Sequence, residues 1–128
     1  MKRYRISTGR SRLRPRIERK SVSWPTLTKR LLKYRLLDIS YEKYLALDRE
    51  AQSELKDVGY FIGGQFNGTL RHLDKMQFRC CISLDIDHID SWDLEEIKNT
   101  YGDYEYVVHS TLKHSEINPR LRLVFPLA

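Results

Sequence analysis

The stretch CISLDIDH, Cys81 to His88, limits the fold most strongly, because it places two acidic residues inside an apolar segment of strand length. Successive side chains of a strand point to opposite faces. The alternation of this buried strand therefore separates two sets of side chains, the apolar Ile82, Leu84 and Ile86 and the polar Ser83, Asp85 and Asp87. The two carboxylates share a face, with their Cα atoms about 7 Å apart. Ionised groups are costly to bury unless they are paired or bind a metal. The pattern favours a divalent metal site, and the alternative is a face open to water.

Charge is distributed very unevenly along the 128 residues, a length that fits one domain. Residues 1–36 contain 13 of the 23 Lys and Arg residues and a single acid, Glu18. Residues 1–20 show no sustained apolar period and include Gly9 and Pro15, so we expect a basic flexible arm with little fixed structure. Residues 21–128 are expected to form the folded domain. The arm suggests contacts with nucleic-acid phosphates, and a solubilising tail is the alternative.

Hydropathy leads us to expect a cytoplasmic protein. No run approaches the roughly 20 apolar residues of a membrane span, and the basic N-terminus lacks the apolar stretch of a signal peptide. We therefore expect no membrane partner. Cys80 and Cys81 are adjacent, which makes a disulfide between them sterically poor, so reduced thiols are expected.

The order of the expected elements predicts an α+β fold. Two N-terminal helices, one capped by Ser23 and one over residues 40–55, precede a strand at 58–64 and a loop that turns at Asn67-Gly68. After Cys81 to His88 come a helix that starts at Asp90 or Ser91 and ends near Gly102, a strand over 104–110 and a strand over 120–127. The two strands joined by the helix should be parallel. The resulting β-α-β-β order is the first part of a split βαβ, or ferredoxin-like, pattern.

Polar side chains of three strands are expected to converge on this sheet: Asp85, Asp87, Ser110, His114, Arg120 and Arg122. Carboxylates hold Mg²⁺ or Mn²⁺ and leave positions for water and substrate phosphates. Guanidinium groups bind phosphate oxygens in a forked geometry, and histidine can donate to the same oxygens. The set suits a nucleoside triphosphate and phosphoryl-transfer chemistry.

The same side chains also have an ordinary structural explanation. Arg120 and Arg122 could pair with the carboxylates across strands, which is worth a few tenths to about 1 kcal/mol. His88 and His109 are expected to be surface or half-buried histidines and are not assigned to the site. The chain contains no GxSxG, Walker-loop or HExxH pattern.

The segments KDVGYFIGG, CISLDIDHID and HSTLKHSEINPRLRLVFPL, in this order, resemble the catalytic domain of archaeo-eukaryotic-type primases, in the primase-polymerase branch of phages, prophages and plasmids. The resemblance covers about residues 22–128 and implies an RRM-like sheet with a polymerase-like metal site. Asp85 and Asp87 match the first motif, whose carboxylates hold the catalytic metals. The segment Ser110 to His114 matches the second, which contacts the nucleotide phosphates, and Asn118 to Arg122 match an arginine segment near the nucleotide.

The chain departs from this family pattern in two places. Leucine stands at position 112, where the relatives have one of two histidines. A third motif, a further aspartate, is expected some tens of residues after RLRLVFPL. We therefore expect activity to require a segment beyond residue 128 that supplies this carboxylate.

The resemblance implies template-directed nucleotidyl transfer from an NTP or dNTP to a 3′-hydroxyl. The expected partners are a single-stranded DNA template, nucleoside triphosphates and a replicative helicase domain or protein. Two alternatives remain. One is a non-catalytic nucleic-acid-binding or protein-interaction module on a primase-like scaffold. The other is a metal-dependent nuclease that uses Asp85 and Asp87.

Overall fold

The computed structural model describes residues 1–87 and 94–128, in which helices pack against small antiparallel sheets. The elements in chain order are β1 (Arg3–Gly9), β2 (Glu18–Ser23), α1 (Trp24–Leu32), α2 (Tyr41–Ala46), α3 (Arg49–Leu55), β3 (Tyr60–Ile62), β4 (Gly64–Phe66), a 3₁₀ turn (Leu73–Lys75), β5 (Met76–Arg79), β6 (Cys81–Ile86), α4 (Leu94–Tyr101), β7 (Val107–Ser110) and β8 (Leu121–Pro126). The expected α+β class is confirmed.

The basic N-terminal segment is a folded part of the domain, which corrects the expectation of a flexible arm over residues 1–20. β1 pairs with β2 and β3 to form the N-terminal sheet, of order β2-β1-β3. Tyr4 and Ile6 are only 6% and 1% exposed, whereas their neighbours Arg3 and Arg5 are exposed. Charged and apolar side chains thus alternate with the period of a strand. A search for a sustained apolar run overlooks this alternation.

Side-chain caps determine where the helices begin. Ser23 caps α1 as predicted, its Oγ accepting a hydrogen bond from the Thr26 amide at 3.3 Å, and Leu27 is buried. The second predicted helix is two helices, α2 and α3. Asp48 interrupts it because its carboxylate accepts from the Ala51 amide at 2.8 Å and so starts α3.

The segment predicted as a loop around Asn67-Gly68 contains strand structure. β4 and β5 pair antiparallel on either side of it, with Gln65 opposite Phe78. The predicted turn residue Gly68 has a φ of +94°, a left-handed conformation that favours glycine. The turn predicted at Asn67-Gly68 is therefore present, and the strands on either side of it were not predicted because they are only three and four residues long.

The last three strands form the C-terminal sheet, of order β6-β8-β7. β8 is antiparallel to both neighbours, so β6 and β7 run in the same direction, as expected. They are not adjacent, however, because β8 lies between them. This order, with an antiparallel strand between two parallel ones joined by a helix, is that of the first half of a split βαβ unit.

Both faces of the C-terminal sheet are packed. One face joins the N-terminal sheet and α1 in a cluster of Tyr4, Ile6, Val22, Leu27, Cys81, Val107 and Val124. The other face lies under α4, in a cluster centred on Ile97, Leu121 and Leu123. Ile82 and Leu84 remain 42% and 40% exposed, although this strand face was predicted to be buried. They lie on β6, which is an edge strand of the sheet.

Helix α4 corresponds to the helix predicted between the strand Cys81 to His88 and the strand over 104–110. It ends at Tyr101, immediately before Gly102, as expected. Its predicted start at Asp90 or Ser91, like His88, lies outside the described residues. Over residues 1–87 and 94–128, no helix has the length and apolar character needed to cross a membrane.

Candidate functional site

A row of three polar side chains crosses the C-terminal sheet. Arg122 on the central strand β8 is directly opposite Asp85 on β6 and His109 on β7. Side chains of directly paired residues lie on the same face of a sheet. Cys81 and Val124 lie on this same face of the C-terminal sheet, and they pack against the N-terminal sheet. The row therefore continues the packed face into a region where Asp85 and Arg122 side chains are about half exposed.

Asp85 and Arg122 form a forked ion pair. Arg122 Nε donates to Asp85 Oδ1 at 2.5 Å, and Nη2 donates to Oδ2 at 3.2 Å. The hydrogen bond from Arg122 lowers the pKa of Asp85, with smaller contributions from the charges of Arg122 and His109. The same bond raises the pKa of Arg122, together with the charges of Asp85 and Asp87. This is the cross-strand pair that the sequence left open as an alternative to a metal site.

Asp87 and Arg120 extend this arrangement by one pleat. The ladder ends at the Ile86–Leu121 pair, and the same register carried one step further would set Asp87 opposite Arg120. Among the residues that the structure describes, the buried Nε of Arg120 has no hydrogen-bond partner. A buried donor without an acceptor is costly. Within residues 1–87 and 94–128, no oxygen accepts from this Nε, so the group is suited to donate to a further acceptor.

His114 lies in the loop between β7 and β8, beside the start of β8. Its Nδ1 accepts a hydrogen bond from the backbone amide of Arg120 at 3.1 Å. An accepting Nδ1 carries no proton, so the neutral ring has its N–H on Nε2. The contact fixes the orientation of the ring beside Arg120.

Ser110 is not brought together with the carboxylates, which corrects the expected convergence. It is paired with Leu121, and Leu121 belongs to the cluster under α4. Because neighbouring side chains on a strand alternate, Ser110 lies on the opposite sheet face from Arg122 and Asp85.

His109 takes the place on this face that the sequence assigned to Ser110. Its Nδ1 is 2.9 Å from the carbonyl oxygen of Ser110, which can only accept, so Nδ1 donates. The neutral ring then presents an unprotonated Nε2, which is buried and has no partner in the part of the chain described. The register between β7 and β8 identifies His109, and a single sequence carries no signal for that register.

The carboxylates fit part of a metal site. Within residues 1–87 and 94–128, no group of three or more His, Cys, Asp or Glu side chains is close enough to hold an ion. Mg²⁺ commonly uses only one or two carboxylates and takes its other ligands from water and substrate phosphates. Asp85 and Asp87 could supply two such ligands. The forked bond from Arg122 would then have to be given up, because it occupies both oxygens of Asp85.

Comparison with known proteins identifies a family. A family model described as the VapE N-terminal domain matches residues 2–128. No curated protein and no solved structure gives a significant match. The matched region begins at residue 2, so it includes the N-terminal sheet as well as the row on the C-terminal sheet. The chain belongs to the VapE N-terminal domain family, a module of replication-associated proteins of phages and plasmids.

Proposed function

We propose that this domain contributes to DNA priming or strand extension by metal-dependent nucleotidyl transfer from an NTP or dNTP to a 3′-hydroxyl on a single-stranded template. The observation that carries the proposal is the pairing of Asp85 with Arg122 on one sheet face, with Asp87 one residue after β6 and Arg120 one residue before β8. Replication-associated family membership supports it.

Each side chain has a role that follows from its chemistry. Asp85 and Asp87 would hold Mg²⁺ or Mn²⁺, which neutralises triphosphate charge and assists the attacking and leaving oxygens. Arg120 and Arg122 bind phosphate oxygens in forked contacts. His114, whose ring lies beside Arg120, would contact the same phosphates. Nucleotidyl transfer depends mainly on such positioning and charge neutralisation.

Arg122 changes partner in this scheme. Without substrate it occupies both oxygens of Asp85. A triphosphate offers the guanidinium a more highly charged acceptor of the same forked geometry. Release of Asp85 then frees its oxygens, so nucleotide and cation binding should favour each other.

The test is a primer-extension assay with labelled nucleotides, Mn²⁺ or Mg²⁺, and primed or unprimed single-stranded DNA. Asp85→Asn and Asp87→Asn should each lower product formation by at least about a hundredfold, as loss of a preorganised electrostatic group does. Asp103→Asn, in an exposed turn, is the matched control and should leave activity unchanged. The resemblance implies a third carboxylate, so any longer natural protein that includes this domain is assayed beside the 128-residue chain.

A second readout does not depend on turnover. A ligand that binds only the folded state raises its melting temperature. Mn²⁺ should therefore stabilise the wild-type protein and stabilise Asp87→Asn less. Equal stabilisation of both proteins would count against a metal site at Asp87.

A non-catalytic nucleic-acid-binding or protein-interaction module is the second candidate. The forked Asp85–Arg122 pair favours it, because that pair satisfies the carboxylate without any metal. Absence of product, combined with DNA or helicase binding that survives Asp85→Asn, would support this candidate. Degradation of the template instead of extension would indicate the nuclease.

A further inference from the structure

A cleft of about 600 Å³ lies at the hairpin end of the N-terminal sheet, away from the residues assigned to nucleotidyl transfer. Its lining comes from the end of β1, the following loop and the start of β2: Thr8, Gly9, Arg10, Arg14, Arg16, Ile17, Glu18 and Lys20. We propose that this cleft binds the phosphate backbone of single-stranded nucleic acid. The identification of that strand as a replication template rests on the proposed function, whereas binding itself does not require nucleotidyl transfer.

The lining is strongly cationic and mostly unpaired. Lys20 is the lining cation that forms an ion pair within residues 1–87 and 94–128, with its Nζ 3.8 Å from a carboxylate oxygen of Glu18. Among the residues that the structure describes, no ion pair is formed by Arg10, Arg14 or Arg16. A depression lined by charges of one sign concentrates the electrostatic potential and attracts ions of the opposite sign.

The loop that presents these arginines is held in place by its backbone. The Ile17 amide donates to the Thr69 carbonyl at 2.9 Å, and the Arg71 amide donates to the Pro15 carbonyl at 2.7 Å. The Arg71 guanidinium also donates to the Arg12 carbonyl at 2.8 Å. Preorganisation of this kind reduces the entropy lost on binding.

An acidic side chain beside this loop holds it in place. Asp57 accepts hydrogen bonds from the Ser11 hydroxyl and from the Arg12 amide, the latter at 2.8 Å. These two bonds, with the Ser11 bond contributing most, lower the pKa of Asp57. Its carboxylate therefore anchors backbone and hydroxyl groups, and the arginine side chains of the cleft stay available for an external anion.

The arrangement fits a phosphodiester strand better than one isolated phosphate. Arg10 follows β1, Arg14 and Arg16 lie in the loop, and Lys20 lies on β2, so the cations are distributed along the chain path. Pockets for single small ligands run from about 300 to 1,000 Å³, so the cleft has room for roughly one or two nucleotides. Guanidinium groups match phosphate oxygens in pairs.

The experiment measures binding of a fluorescein-labelled oligo(dT) strand to the 128-residue protein by anisotropy over a series of salt concentrations. The triple variant Arg10→Gln, Arg14→Gln, Arg16→Gln removes three cleft charges. For single strands each phosphate contact contributes about 0.7 to the slope of log affinity against log salt, so the slope should fall by about 2. Affinity at low salt should fall by about tenfold or more.

A matched control removes the same charge elsewhere. Lys29→Gln, Arg30→Gln, Lys33→Gln acts on exposed cations of α1 and its C-cap. It should leave the slope unchanged. The single variant Arg14→Gln, expected to lower the slope by about 0.7, keeps the test valid should the triple variant fail to fold, and thermal melts check folding throughout.

Three results would overturn the proposal. The first is that the wild-type protein fails to bind oligo(dT), and the second is that the cleft variant and the α1 variant lose the same amount of affinity for it. The third result is displacement of the labelled strand by polyglutamate or a nucleoside triphosphate as effectively as by unlabelled oligo(dT). The last of these would make the cleft a general polyanion or nucleotide site. If primer extension fails while the salt dependence of oligo(dT) binding is as expected, the result counts against nucleotidyl transfer and supports the proposal for the cleft.

Discussion

The forked contact between Arg122 and Asp85 should contribute a small share of stability that depends on salt and pH. Two unit charges 4 Å apart attract by about 1 kcal/mol in water and about 4 kcal/mol at an effective dielectric constant of 20. The two side chains are 41% and 48% exposed, so solvent screens the pair strongly. Exposed pairs measured by double-mutant cycles give about 0.2–1 kcal/mol, and the forked geometry favours the upper part of that range. We expect a coupling free energy of about 0.5–1 kcal/mol at neutral pH.

The sign of the pH dependence follows from the lowered pKa of Asp85. Arg122 holds this pKa below its ordinary value of 3.8. Because the folded-state value is below that of the unfolded chain, the contribution is fully present above the ordinary value. It is lost as the pH falls through the folded-state pKa. At about 1 M salt, where the Debye length is about 3 Å, the coupling should also fall towards zero.

The assay is a double-mutant cycle with Asp85→Asn, Arg122→Gln and the double variant, each unfolded with urea at neutral and acid pH. Midpoints and slopes give the free energy of unfolding for each protein. The coupling free energy is the difference between the change in unfolding free energy of the double variant and the sum of the changes in the two single variants. A coupling above about 2 kcal/mol, or one that persists in acid and in high salt, would refute the view of a solvent-screened pair.

Three further predictions concern the scaffold that positions the site. Leu123→Ala should lower the free energy of unfolding by about 2–5 kcal/mol, because Leu123 is 0% exposed, while the 83%-exposed Leu36→Ala should change it by less than about 0.5 kcal/mol in the same urea titration. Gly64→Ala should cost about 1–3 kcal/mol, because its Cβ would lie 2.2 Å from the Phe78 carbonyl oxygen and force the β4–β5 pair apart, which is measurable as a lower melting temperature. Burial raises the pKa of Cys81 to about 12. Its thiol should therefore react with an aromatic disulfide reagent at mildly alkaline pH far more slowly in the native protein than after unfolding. Equal reaction rates in the two states would contradict the buried position.

Several local features were predicted correctly because the atoms that decide them are close in sequence. The Ser23 cap and the stop before Gly102 are such cases, since each depends on contacts within one helical turn. The alternation along β8 is another such case, since Leu121 and Leu123 are buried on the face opposite Arg122. The break at Asp48 was missed, although a capping side chain was visible, because the apolar stripe suggested one longer helix.

Pairing between strands far apart in sequence accounts for two wrong predictions, the flexible N-terminal arm and the position of Ser110. β1 was taken for a flexible arm because its partners, β2 and β3, begin 15 and 57 residues after its first residue, Arg3. A strand of alternating charge and apolar side chains is stable only when such partners bury one face. The order β6-β8-β7 likewise moved Ser110 off the face of the carboxylates.

The sequence alone determined that Asp85 and Asp87 share a strand face, that Arg120 and Arg122 share another, and that the domain is α+β, because strand alternation and helix caps are properties of neighbouring residues. Only the tertiary structure decided that Arg122 is paired with Asp85, that His109 stands beside them and that the basic N-terminus forms a cleft. These features depend on strand register, which is set by contacts between residues far apart in the chain.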